Sequence, residues 1–470
     1  MHSDRDPIVA IATGAGRSAI GIVRVSGRDI EPIIEGVLGA SVARDLPPRM
    51  ARLTPFLDAQ GRPIDEGLAL RFSAPLSYTG ENVLELQGHG GPVVLRLVLA
   101  RCLEAGRPIG ARIAEPGEFT RRAYQNDRLD LAQAEAVADL IDAGTAAAAR
   151  GAVRSLQGEF SRAARALAEE LADLRALTEA TLDFPDEEID FLHAADALAR
   201  LERAAGSLEQ MLGSARQGAL LREGLSVALV GAPNVGKSSL LNALAGEDVA
   251  IVAEQPGTTR DRIERIIDLD GLALRIIDTA GLRPTDDPVE RLGIERTLAA
   301  ASTADLVLLV ADDRQPSAGD PPEGPRAGQA AAHPGASMLH LPASATKLML
   351  RNKIDLSGAQ PGVRSGTIYV SAKTGAGMAE LRAQLLEAAG WSAGAAGETP
   401  FLARARHLNA LDRAAAHLNA ARAHGAATAR NLELFAEDLR LAADALGEIT
   451  GGVSSDELLG RIFSRFCIGK

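Results

Sequence analysis

A triphosphate site needs backbone N–H groups turned toward phosphate oxygens, a cation near the terminal phosphates and a hydroxyl that shares the metal. Gly231-Ala232-Pro233-Asn234-Val235-Gly236-Lys237-Ser238 offers all three in the pattern G-x-x-x-x-G-K-[ST]. The two glycines let the backbone fold tightly around an anion. Lys237 reaches the β- and γ-phosphates, and the Ser238 hydroxyl sits on Mg²⁺. The expected contacts run from Asn234 and Val235 through Gly236, Lys237 and Ser238 to Ser239. A glycine-rich turn with a chance lysine is the plain alternative. Against it stand the apolar run Leu225 to Val230 before the loop and the helix-like Ser239 to Leu244 after it. Strand, loop and helix are the context such a site requires.

Further motifs select the nucleotide. Asn352-Lys353-Ile354-Asp355 follows the apolar Leu348-Met349-Leu350 at a predicted strand end. The Asp355 carboxylate can accept both the N1–H and the 2-amino group of guanine, a pairing adenine lacks, and a pocket built for a polar edge rejects ligands without it. Ser371-Ala372-Lys373 supplies the loop that closes over the base. Asp278-Thr279-Ala280-Gly281 brings a carboxylate to the metal and an N–H to the γ-phosphate, and Gly257-Thr258-Thr259 provides a switch threonine. Each motif alone is weak. Four in this order after a phosphate loop imply a domain that binds and hydrolyses GTP.

Hydrolysis requires an in-line water and charge compensation between the β- and γ-phosphates. Leu282 stands where Ras-type GTPases carry a water-orienting glutamine. Glu290, in a polar stretch that a mobile switch would carry, is the candidate for that role; a solvated carboxylate at a helix start is the competing reading. Arg260 and Arg262 flank the switch, yet neither is an evident arginine finger. Asn234, with carbonyls of the loop Ala253-Glu254-Gln255-Pro256-Gly257-Thr258, suggests a K⁺ held against the nucleotide in place of a finger. Asn234 also reads as a simple turn residue.

The elements around these motifs divide the 470 residues into about three domains on a prior of roughly 150 residues each. Residues 1–123 read as α+β, with strand-like Ile8–Ile11, Gly21–Val25, Gly67–Phe72 and Val83–Leu86 and a helix from Pro92 to Leu103. Helix prevails over 124–221, where Leu131, Ala134, Val137 and Ile141 form a stripe, and returns over 391–470. The expected fold is an α/β P-loop GTPase domain, 222–390, inserted into a discontinuous helical domain behind the N-terminal α+β domain. Residues 314–346, rich in Pro, Ala and Gly, read as a mobile surface insertion. Aromatic residues are only 3% of the chain, which disfavours a base-stacking platform. A net charge of -12 argues against a surface coated for nucleic acid. Two cysteines, Cys102 and Cys467, point to a reducing compartment. No signal peptide and no apolar run of about 18 residues is evident, so a soluble, cytoplasmic protein without a membrane segment is expected.

Beyond the nucleotide motifs, the chain carries Leu84-Glu85-Leu86-Gln87-Gly88-His89-Gly90-Gly91-Pro92, Glu115-Pro116-Gly117-Glu118-Phe119-Thr120-Arg121-Arg122-Ala123, Leu129 to Ala136, Leu182 to Phe191, and Phe466-Cys467-Ile468-Gly469-Lys470 at its end. In these motifs it resembles the bacterial and organellar tRNA-modification GTPase family MnmE (TrmE), over the whole length apart from 314–346. The resemblance implies an N-terminal domain that binds a reduced folate (5-formyltetrahydrofolate) and forms a homodimer. It implies a flavoprotein partner, MnmG (GidA), in a heterotetramer that contributes FAD and uses NADH. It implies addition of an aminomethyl or carboxymethylaminomethyl group at C5 of the wobble uridine (U34) of certain tRNAs, with hydrolysis stimulated by K⁺. By matching position, Arg24, Glu85, Arg128 and Lys470 contact the folate; Asn234, Ala253, Gln255 and Thr258 surround K⁺; Ser238 and Thr259 hold Mg²⁺; Glu290 is catalytic. Arg128 replaces a lysine common in the family, Ala253 a threonine and Gln255 an apolar residue. Cys467 is not assigned to catalysis. Two other classes remain in play: a ribosome-assembly GTPase acting as an RNA-binding switch, and a self-associating scaffold GTPase.

Overall fold

The computed structural model describes residues 5–183, 197–246, 264–278, 304–315, 346–391, 400–426, 431–452 and 456–464, with Phe466 and Gly469. They belong to two compact units, residues 1–138, 155–206 and 410–470 in one and residues 139–154 and 207–409 in the other. The Pro- and Ala-rich segment read as an insertion lies, from residue 316 to 345, outside the described residues.

The first unit opens with a six-stranded sheet. Its strands are β1 (Ile8–Ile11), β2 (Ile20–Gly27), β3 (Arg52–Leu57), β4 (Pro63–Phe72), β5 (Asn82–His89) and β6 (Arg112–Ile113), in the order β3-β4-β5-β2-β1-β6. Alternation along β2 and β5 sends Val23, Val25, Leu84 and Leu86 into a core with the helices Glu31–Leu38 and Pro92–Ala105. The opposite face carries Arg24 beside Glu85, which are register partners. Sequence reading missed β3 because Pro55 lies inside it; the strand is at the sheet edge, where a missing N–H is tolerated. Gly67 is required on β4, since a Cβ there would lie 2.2 Å from the Gln87 carbonyl oxygen.

The unit continues in helices. Asp130 and Gln133 exchange hydrogen bonds at the start of Leu131–Asp142, Gln133 N–H to Asp130 Oδ1 at 2.9 Å and Asp130 N–H to Gln133 Oε1 at 3.0 Å. Leu131 and Ala134 are buried as the stripe predicted, but Ile141, in the last turn, is 45% exposed. Leu432–Thr450, distant in sequence, packs along Glu159–Asp183.

The second unit holds a seven-stranded sheet of β7 (Leu225–Val230), β8 (Glu264–Leu269), β9 (Leu272–Asp278), β10 (Leu306–Asp312), β11 (Thr346–Asn352), β12 (Gly362–Arg364) and β13 (Thr367–Tyr369). The order is β12-β13-β11-β10-β7-β9-β8, with β7, β9, β10, β11 and β13 parallel. Apolar runs such as Leu306–Val310 suit a sheet covered on both faces. The helix Lys237–Ala245 follows β7 directly. Leu402 and Leu221 meet Ala147 and Ala152 in a small helical core, and the sole tryptophan, Trp391, packs against both that cluster and the sheet core. Asp139 receives Arg222 Nε at 2.9 Å and Arg404 Nη2 at 2.7 Å beside it. Among the described residues, no helix is long and apolar enough to cross a membrane.

Candidate functional site

Parallel sheets bind ligands in the crevice outside the carboxyl ends of their strands, and the motifs gather there. Gly231 must lack a side chain, because a Cβ would fall 2.3 Å from the Val310 carbonyl oxygen at the end of β10. Gly236 has φ 96° and would drive a Cβ to 2.4 Å from Asn352 Nδ2. Asn234 also takes a left-handed backbone, φ 64°, and is exposed with Ser238 and Ser239 at the mouth of the loop. Lys237 Nζ donates to the carbonyls of Gly231 at 2.7 Å and Ala232 at 3.1 Å, so its ammonium curls back over the loop. Val235 is buried beneath.

The motif Asn352 to Asp355 is tied to that loop. Asn352 is buried; its amide donates to the Val235 carbonyl at 2.9 Å, and its oxygen accepts the Ala372 N–H at 3.0 Å. One side chain thus joins three motifs that lie far apart in sequence. Lys353, with φ 69°, donates from Nζ to the Asn234 carbonyl and to Asp312 Oδ2, the latter at 2.9 Å. Ile354 is buried and opens a short helical turn. Asp355 accepts Ser371 Oγ–H at 2.6 Å. Ser371 is buried, and its Oγ accepts the Thr374 N–H, which fixes the loop carrying Lys373. Asn234 through Ser239, Asn352 through Asp355 and Ser371 through Lys373 are therefore assembled at one sheet edge.

Asp278 ends β9, where its backbone pairs with Leu229 of β7. Thr279, Ala280 and Gly281, the segment Ala253, Glu254, Gln255, Pro256, Gly257, Thr258 and Thr259, Arg260, Arg262, Leu282 and Glu290 lie outside the described residues.

Sequence reasoning overlooked Asp312. Its carboxylate, 5% exposed, holds Arg314 Nη2 at 2.8 Å as well as Lys353. The hydrogen bonds from Arg314 hold its pKa far below the usual carboxylate range against the opposing effect of burial, and Lys353 adds to them. Asp313, beside it, accepts Arg351 Nη1 at 3.3 Å and the Ser357 hydroxyl.

In the N-terminal sheet, Arg24 Nε donates to Glu85 Oε1 at 2.9 Å. Arg24 Nη1 meets the carbonyl of Gly469 at 3.5 Å, so the last described residue lies beside the first sheet, although Lys470 itself lies outside the described residues. A Cβ on Gly469 would sit 2.4 Å from the Ile11 carbonyl oxygen. Arg128 is exposed in the turn after Glu118–Gln125, its Cγ near Gly80. Tyr78, outside every quoted motif, and Phe119, inside one but given no role, each place a ring 5.7 Å from the Arg24 guanidinium. Burial raises the Tyr78 phenol, with Thr120 and Arg24 acting in the opposite sense. Cys102 is fully buried, and burial pushes its thiol up to about 12, which marks it as inert packing. Cys467 lies outside the described residues.

Comparison with known proteins adds to this geometry. Residues 7–128 match the model of the "GTP-binding protein TrmE N-terminus", and residues 131–467 that of the "MnmE helical domain". A Ralstonia nicotianae protein named tRNA modification GTPase MnmE is 57% identical over 468 residues, 99% of this chain and 96% of its own. Proteins of the same name from Thiobacillus denitrificans (56%, 99% of this chain and 98% of that one) and Burkholderia cenocepacia (55%, 100% of each) are similar throughout. The G domain of the T. maritima FeoB iron transporter is 28% identical, covering 35% of this chain and 98% of that chain, with a TM-score of 0.25, too low to carry weight.

Proposed function

The chain belongs to the MnmE family of tRNA modification GTPases, and from that premise we propose how its residues share the work. It is a GTP hydrolase of tRNA modification. The finer reading is that it drives addition of an aminomethyl or carboxymethylaminomethyl group at C5 of the wobble uridine together with a flavoprotein of the MnmG type, as a cytoplasmic homodimer. Three domains divide these roles, with 1–123 serving folate and dimerisation, 124–221 and 391–470 forming a helical frame, and 222–390 holding the nucleotide.

The observation that carries the nucleotide reading is the Asn352 side chain, which joins the phosphate loop, the base-reading strand end and the closing loop. Asp355 then pairs with the guanine edge, Lys237 turns from its loop carbonyls to the phosphates, and Glu290 orients the attacking water. The exposed Ser238 hydroxyl fits a Mg²⁺ ligand, with Thr259 as its partner. Asn234, exposed and left-handed, fits a K⁺ ligand with the carbonyls of Ala253, Gln255 and Thr258. Such cations, when bound, offset the negative charge that builds between the β- and γ-phosphates. Arg24, Glu85, Arg128 and Lys470 form the folate contact, and the nearness of Gly469 to Arg24 supports their meeting. The reduced folate supplies a one-carbon unit; FAD and NADH belong to the partner.

The test is complementation of a strain lacking the protein, with wobble uridines read by mass spectrometry. Wild type should restore the modified base, whereas Glu290→Ala should not, while retaining nucleotide affinity in the purified protein. Unmodified uridine after wild-type rescue sinks the tRNA chemistry. Loss of nucleotide affinity in Glu290→Ala sinks the water-orienting role. Turnover that is equal in K⁺ and Na⁺ removes the cation assignment.

A further inference from the structure

β10 ends at Asp312 and Asp313 follows it, two acids that the nucleotide motifs do not include. The Asp312 carboxylate turns to Lys353, and that of Asp313, one residue past the strand, to Arg351 and Ser357. Both serve the strand end that bears Asn352 to Asp355, and the Asp313 N–H donates to the Asn352 carbonyl at 2.9 Å.

Asp312 is the more consequential of the two. Its carboxylate is 5% exposed and meets two cations on different segments. Lys353 Nζ lies 2.9 Å away and spends another of its three hydrogens on the Asn234 carbonyl of the phosphate loop. An ammonium on a flexible four-carbon stem has no fixed direction of its own. Here a nearly buried anion supplies that direction, and Arg314 closes the far side of the same carboxylate through Nε at 3.0 Å and Nη2 at 2.8 Å.

We propose that Asp312 is a positioning residue for nucleotide retention: it aims the Lys353 ammonium at the phosphate loop and so latches the base-reading loop to the phosphate-reading one. It touches no nucleotide itself. The inference rests on the guanine-pocket reading above and adds the residue that holds the pocket's lysine in place. Asp312 therefore governs how long a nucleotide stays, whereas Asp355 governs which base is chosen. Loss of the charge at 312 frees Lys353 to swing into solvent and uncouples the two loops.

The test is release of a fluorescent GDP from the full-length protein, in a double-mutant cycle of Asp312→Asn and Lys353→Ala. Asp312→Asn should speed release at least about tenfold, the scale of one charge-assisted hydrogen bond, with preference for guanine over xanthine retained. Added to Lys353→Ala, it should change release by less than about twofold, because its route is already cut. Arg314→Ala removes the other cation and should leave release within about twofold of wild type. Release unchanged in Asp312→Asn overturns the proposal, as do additive effects in the cycle. Arg314→Ala as fast as Asp312→Asn overturns it too, since local packing rather than Lys353 would then be the cause. Unchanged release in Lys353→Ala alone sinks the pocket reading and this proposal with it.

Discussion

The two regions proposed to bind ligands are built on opposite plans. At the guanine end, side chains of the motifs bond to backbone atoms of other motifs: Asn352 to Val235 and Ala372, Lys353 to Asn234. Those bonds set the loops in register, while Asp355 is held through the Ser371 hydroxyl. In the N-terminal sheet two of the four charges expected to meet the ligand instead meet each other, Arg24 and Glu85 at 2.9 Å and 22% and 16% exposed. The first is a scaffold prepared in advance. The second is an ion pair that a ligand must share or divide, at the expense of an interaction already made.

The largest effect should fall at the prepared end. Asp355→Asn should lower GTP affinity on the order of 1000-fold and shift preference toward xanthine nucleotides, because a site built for one polar edge penalises its loss heavily. Competition binding of GTP against its xanthine counterpart checks this, and an unchanged preference breaks the comparison at its stronger arm.

Next comes a part of the N-terminal region that is prepared, but for stability. Glu118 is fully buried and receives Arg112 Nη2 at 2.6 Å, the Glu115 N–H at 2.9 Å and Arg122 Nη2 at 2.9 Å. Burial pushes its carboxyl up, but the Arg112 hydrogen bonds, the Glu115 N–H and Arg122 together outweigh it, and the net result is a value lowered from 4.5 to about 2. A carboxyl held low in the folded chain contributes fully above its ordinary value and loses that contribution as pH falls toward the folded one. Stability should thus drop by about 3 kcal/mol between pH 4.5 and 2. Denaturant titrations across that window should show a flatter dependence in Glu118→Gln; an identical slope would remove the carboxylate from the account.

The smallest effect belongs to the self-paired charges. Glu85→Gln should weaken 5-formyltetrahydrofolate about tenfold, since one charged contact goes while Arg24 is released from its partner. Calorimetry of wild type, Glu85→Gln and Arg24→Met resolves the two. Equal affinity in all three would show that the pair serves the sheet and not a ligand.

What could be read from sequence follows from how local each signal is. The phosphate loop, its strand and its helix lie within one short stretch, and their glycines answer to contacts now visible at Val310 and Asn352. Asp312 was illegible because an acid at the end of an apolar strand reads as ordinary punctuation; the role proposed for it depends on a lysine just past the neighbouring strand. Tyr78 and Phe119 reach Arg24 from separate segments, so no spacing ties either of them to it. β3 was hidden by Pro55, and the true extent of β4, from Pro63, by the polar Asp65 and Glu66 at its start.

Trp391 has a practical consequence. The chain's only indole is half-buried where the helical cluster of Leu221 and Leu402 adjoins the nucleotide sheet. Its ultraviolet emission therefore comes from a single place, and a change in colour or intensity on adding GTP would register movement at that junction with no dye attached.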